Sequence, residues 1–179
     1  MNFETLKILN PLDSSYQLTD SKLIIQTDGG YMWGIDNRCH NLCVAPQAAE
    51  SCTAELDLNI LPKTNGEQAG LILLIDADNY IKFVREMVDD QQVVVLAKEL
   101  DGNPNVELKE PFSPADLTLK IEHRADQITV FWKGKDDAVF QQQSFPNWFP
   151  SGAIYRPGLL VHGSNPSNQA VFHSFSVSD

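Results

Sequence analysis

Gln68, Lys82, Glu86 and His162 are the residues of this chain whose types and positions point to one shared task. Gln68 and Gly70 fall on one face of an apolar run, with Ala69, Leu71 and Leu73 on the other. Lys82, Val84 and Glu86 share a face of the following run, opposite Ile81 and Phe83. Between the runs stands a polar corner, Asp76-Ala77-Asp78-Asn79, whose residue types make tight turns. Cross-strand pairing in such a hairpin brings Gln68, Lys82 and Glu86 to one surface. His162, in the segment PGLLVHG, joins them from a neighbouring strand. A carboxamide, an ammonium and a carboxylate around a glycine floor match hydroxyl groups, each of which donates and accepts. Glu86 with His162 or Lys82 is also the material of an acid–base pair. The plainer alternative is a surface Lys–Glu pair contributing little.

The elements that must hold these groups are strands. Ser21 to Thr27 reads as a strand ended by Asp28-Gly29-Gly30. Thr53 to Leu61 alternates, with Ala54, Leu56, Leu58 and Ile60 on one side. Val93 to Ala97 reads as a buried strand, and residues 101–116 as a loop rich in Asp, Asn and Pro. Leu117 to His123 and Gln127 to Lys133 alternate again around a turn at Ala125-Asp126. Val139 to Gln143, Ile154 to Val161 and Ala170 to Val177 complete the set. Many short strands at close spacing, with no long helix, make this an all-β chain: a single antiparallel β-sandwich over residues 1–179, with residues 1–19 as an N-terminal extension or first strand.

Aromatic residues divide by pattern. Trp132 follows Ile128 and Val130 inward and belongs to the core. Tyr31, Trp33 and Trp148 lie in or beside loops rich in glycine and proline, where a ring either stacks on a ligand or plugs the end of the sandwich. Trp33 with Gln68, Lys82, Glu86 and His162 is the expected ligand-binding set, and Glu86 and His162 are the candidates for catalysis.

Net charge is −11, from 24 acidic and 13 basic residues, and no local basic cluster offsets it. Such a chain repels phosphate backbones and anionic lipid, which argues against nucleic acid and membrane as partners. The first residues lack a basic stretch followed by an apolar one, so the expectation is a cytoplasmic protein with Cys39, Cys43 and Cys52 as reduced thiols.

Glu67-Gln68-Ala69-Gly70-Leu71-Ile72-Leu73, followed by Asp76, Asn79, Tyr80 and Lys82, resembles a signature of the concanavalin-A-like jelly-roll superfamily, with Tyr80 in place of a Trp and Glu67 in place of an Asp. SCTAELDL, DLTLKIEHRADQITVFWKGKD, PGLLVHG and VFHSFSVS are similar to its other strands, so the likeness runs over residues 20–178. Within that superfamily the chain resembles the accessory β-sandwich of bacterial β-xylosidases and arabinofuranosidases and a set of standalone proteins of the same fold. The resemblance implies a jelly roll, and a ligand that is a carbohydrate or a sugar-derived small molecule.

Glu55-Leu56-Asp57-Leu58-Asn59 is similar to the E-x-D-x-E strand of jelly-roll glucanases, but Asn59 stands where the acid must be, and an amide cannot protonate a leaving oxygen. Cys39, His40, Cys43 and Cys52 do not have the spacing of a standard zinc finger, and no metal site is expected there. Ca²⁺ at acidic turns such as Asp76-Ala77-Asp78-Asn79 or Asp136-Asp137 is an option; turn-making is the simpler use. The leading expectation is a lectin-like, non-catalytic or accessory carbohydrate-binding protein. The alternatives are a glycoside hydrolase or lyase, and an interaction module forming a homodimer through an exposed sheet face.

Overall fold

The computed structural model describes residues 2–19 and 21–179. Among them the chain forms fifteen strands and two short 3-10 turns. In chain order the strands are β1 (Lys7–Leu9), β2 (Tyr16–Leu18), β3 (Leu23–Gly30), β4 (Met32–Trp33), β5 (Asp36–Asn37), β6 (Leu42–Val44), β7 (Cys52–Asn59) and β8 (Gln68–Asp76). They continue with β9 (Asn79–Val88), β10 (Gln91–Leu100), β11 (Asn103–Pro111), β12 (Asp116–His123), β13 (Gln127–Gly134), β14 (Gln141–Pro146) and β15 (Arg156–Ser178).

All pairings are antiparallel and, apart from the small β4–β5 ribbon, resolve into two sheets. The first runs β1-β6-β15-β8-β9-β10-β11, the second β2-β3-β15-β7-β12-β13-β14. The long strand β15 belongs to both. Arg156 to His162 pair with β8, and from Gly163 onward the strand pairs with β3 and then β7. Its register slips twice between Gly163 and Gln169, where it passes from one sheet to the other.

The sheets close on a shared core because their strands alternate. Leu56, Leu58, Leu119, Ile121, Ile128, Val130 and Trp132 of the second sheet face Ala69, Leu71, Leu73, Ile81, Phe83, Val94 and Leu96 of the first. Each large aliphatic or aromatic side chain buried there contributes about 1.5–3 kcal/mol. Trp132 packs edge-on against Phe83, with ring centroids 6.1 Å apart. The first sheet also carries a second apolar layer on its outer face. Ile72, Leu74, Tyr80, Val84, Val93, Val95 and Ala97 are covered there by Met32, Cys39 and Leu42. Strands β8 to β10 are therefore buried on both faces, which is why their sequences read as nearly unbroken apolar runs.

Four expectations from the sequence are corrected. Asp28-Gly29-Gly30 does not end its strand, since β3 continues through Gly30. Residues 103–111 are not loop: Asp101 and Gly102, both with positive φ, make a two-residue turn into β11. Pro104 and Pro111 are tolerated because β11 is the edge strand of its sheet. The strand expected at Val139 begins instead at Gln141 and runs into SFP. Ile154–Val161 and Ala170–Val177 are two halves of one strand.

Candidate functional site

Residues facing the same way on adjacent strands form rows across the first sheet. His162 lies opposite Gln68, Gln68 opposite Glu86, and Glu86 opposite Val93. Two residues further along the strands come Leu160, Gly70, Val84 and Val95, and then Ile72, Lys82 and Ala97. Gly70 is required where β8 meets β9: a Cβ there would stand 2.3 Å from the Phe83 carbonyl oxygen. From these rows His162, Gln68, Glu86, Val95, Lys82 and Ala97 line the floor of a cavity of about 490 Å³ on the outer face of the first sheet. Its walls include Tyr31, Trp33, Gly66, Val88, Val106 and Lys109. The size is that of a small-molecule site, with apolar walls and few polar groups.

All five residues expected from the sequence, Trp33, Gln68, Lys82, Glu86 and His162, line this one cavity. Tyr31 joins them, its ring edge-on to His162 with centroids 6.1 Å apart. Trp148 does not. It is half-buried against Phe145, with the Lys98 ammonium 4.5 Å from its ring centroid, and it plugs the end of the sandwich.

The polar groups of the floor are short of partners. Gln68 Oε1 and both ring nitrogens of His162 are buried without a hydrogen bond among the described residues. Burial, with the nearby Lys82 charge, pushes the His162 pKa well down, so the ring is neutral. Lys82 is 2% exposed. Its Nζ sits over the Trp33 ring, 4.7 Å from the centroid, and 5.9 Å from that of Tyr80. Loss of water lowers its pKa to about 8, against the opposing pull of Glu86, Cys39 and Glu99. Burial raises the Glu86 carboxyl, and Lys82 offsets part of that rise.

Trp33 is held in place from below. The Tyr80 hydroxyl lies 2.7 Å from both the Met32 carbonyl and a Glu99 carboxylate oxygen, and the Gly34 N–H donates to the same Glu99 oxygen at 2.9 Å. The β4–β5 hairpin is thus pinned to β9 and β10, leaving Trp33 38% exposed at the cavity.

Glu67 was not singled out by sequence reasoning, yet it organises the rim. Its buried carboxylate accepts from the Thr27 hydroxyl, the Lys63 and Thr64 N–H groups and Asn168. One side chain so ties together β3, the loop before β8 and the crossing segment of β15. Burial alone would raise its pKa, but these hydrogen bonds hold it below the usual carboxylate value. Its signal in the sequence was its place in the signature beside Gln68.

The other candidates have structural uses. Asp57 accepts from Thr118 and Ser174 on the second sheet, away from the cavity. Asp76 accepts from the Asp78 N–H and the Asn79 amide, closing the turn. The Cys39 thiol donates to Val161 and Cys43 to Asn41, while Cys52 accepts from Tyr155. Among the described residues no cluster of three or more His, Cys, Asp or Glu is arranged to hold a metal.

The sequence profile of the β-xylosidase C-terminal concanavalin-A-like domain matches residues 4–147. No curated protein matches by sequence. Among solved structures, a functionally unknown protein from Saccharomyces cerevisiae superimposes with a TM-score of 0.81 at 15% identity, over 99% of this chain and 98% of that one. The GH43 protein BlXynB from Bacillus licheniformis gives 0.81 at 18% identity, and the match spans 97% of this chain but 36% of that one. The carbohydrate-binding module CBM66 from Bacillus subtilis gives 0.59 at 18% identity, over 98% of this chain and 96% of that one. At these identities the likeness is one of fold.

Proposed function

The chain belongs to the family of β-xylosidase C-terminal concanavalin-A-like domains, and from that premise we propose that it is a non-catalytic, accessory carbohydrate-binding domain whose ligand lies in the cavity of the first sheet. One observation carries the reading: an exposed, braced Trp33 shares a cavity with buried polar atoms that have no hydrogen-bond partner among the described residues. Trp33 offers its face to the apolar side of a sugar ring. Gln68 Oε1 accepts from one hydroxyl, and neutral His162 donates to one and accepts from another. Lys82 donates and Glu86 completes the set. An unpartnered buried polar group costs about 1–3 kcal/mol, and a ligand hydroxyl that satisfies it recovers much of that.

The family description puts xylose-based sugars first on the panel. The test is isothermal titration of the purified protein with methyl β-xyloside, xylobiose and neutral hexose glycosides. Saturable binding that Trp33→Ala weakens at least tenfold supports the reading. Equal heats for wild type and variant across the panel refute it.

A further inference from the structure

Holding hydroxyl groups does not require an amine stripped of water, yet the floor of the cavity has one. The Lys82 Nζ lies over the rings of Trp33 and Tyr80, and no ion pair within 4 Å reaches it among the described residues. Glu86 stands four residues along the same strand face, and both line the cavity. Val88, Val95, Ala97 and Val106 make the neighbouring wall apolar.

We propose that Lys82 captures a carbonyl ligand covalently: its amine adds to the aldehyde carbon of a small hydroxy-aldehyde, the open-chain form of an aldose included, and condenses to an imine. The identity of the aldose rests on the sugar reading above; the chemistry of Lys82 does not. In the first step the nitrogen lone pair forms the C–N bond and the C=O π pair moves to oxygen. A proton passes from nitrogen to that oxygen, giving a carbinolamine. Glu86 in its acid form then protonates the hydroxyl, the C–O bond breaks, and water leaves as the nitrogen lone pair forms C=N. The remaining N–H proton returns to the Glu86 carboxylate. One amine and one carbonyl yield one imine and one water, with no oxidant or reductant.

The electrostatics of the floor support this. With a pKa of about 8, roughly a tenth of Lys82 is uncharged amine at pH 7, about two hundredfold more than for a lysine in water. The raised Glu86 carboxyl keeps a larger acid fraction than an exposed glutamate does. Neutral His162 adds no competing cation.

The test is reductive trapping with glycolaldehyde and cyanoborohydride at pH 7, read by intact mass and peptide mapping. Lys82 is expected to take up label at least tenfold faster than any of the other eight lysines. Methyl β-xyloside, which has no free carbonyl, is expected to bind and to protect Lys82 in the unmodified wild-type protein. Glu86→Gln is expected to slow trapping while leaving the thermal transition in place. If the xyloside binds but label spreads evenly over the surface lysines, the imine proposal is overturned and the sugar reading stands. If Lys82 is labelled selectively but no glycoside binds or protects, the capture chemistry stands and the sugar reading falls. Even labelling with no glycoside binding overturns both.

Discussion

Glu67→Gln should be the most damaging single-atom change near the cavity. The buried carboxylate accepts from Thr27, from the Lys63 and Thr64 N–H groups and from Asn168. A carboxamide has one acceptor oxygen, so its NH2 must face donors on the other side. Hydrogen bonds to a charged acceptor are worth about 1.5–3 kcal/mol each, and a buried donor left unmade costs about 1–3 kcal/mol. Two donors on the replaced oxygen lose their partner, and local relaxation recovers part of the loss. A net cost of about 3 kcal/mol follows, or about 6–12 °C in Tm for a domain of this size. The effect has a definite pH signature. The folded pKa of Glu67 is depressed, so its stabilisation is fully present above the unfolded value of about 4.3 and fades as pH falls through the folded value. Urea unfolding of wild type and Glu67→Gln at pH 7 and near pH 3 measures both. A stability gap of the same size at the two pH values, or no gap at pH 7, would show that the Glu67 carboxylate does not hold these donors.

Other consequences can be checked with the same methods. Tyr80→Phe removes the hydroxyl that lies between the Glu99 carboxylate and the Met32 carbonyl, and should cost about 1–3 kcal/mol in urea unfolding and weaken ligand binding by loosening the β4–β5 hairpin. Because the folded pKa of Lys82 lies near 8, the unfolded chain binds more protons above that pH. Wild type should therefore gain stability relative to Lys82→Met between about pH 8 and pH 10.4, and a constant difference would contradict the burial of an amine there. Arg85 is fully buried, its Nη1 donating to the Val93 carbonyl while Nε and Nη2 lack partners among the described residues. Arg85→Met should leave the protein as stable or raise its Tm; a large fall would show that the charge has a counterpart.

The parts of this molecule legible in the sequence are those where one face of a strand is buried. β7, β12 and β13 alternate cleanly, so their inward residues could be named one by one. The rows joining Gln68, Glu86 and Lys82 were legible for a related reason. A two-residue turn and a one-residue bulge at Ile75 together set the register of the β8–β9 hairpin, which places Gln68 opposite Glu86, while the two-residue alternation within each strand is what the sequence shows. β11 was hidden because its prolines argue against a strand, although Asp101-Gly102 is a hairpin turn in its own right. Glu67 and Tyr80 were not legible as supports. Their partners, Thr27, Asn168, Met32 and Glu99, lie up to 101 residues away, and only the fold brings them within hydrogen-bonding distance.

The proposed function requires that ligand enter the cavity against Trp33. The three indoles of this chain separate that site from others, because Trp33 lines the cavity, Trp132 lies in the core and Trp148 plugs the sandwich end. An NMR titration with xylobiose, following backbone amide, indole N–H and side-chain amide resonances, tests it. The Trp33 indole and the Gln68 amide are expected to shift together and saturably, with Trp132 and Trp148 unmoved. A saturable shift that spares Trp33 and appears at the Asp57 and His173 face of the second sheet would contradict it.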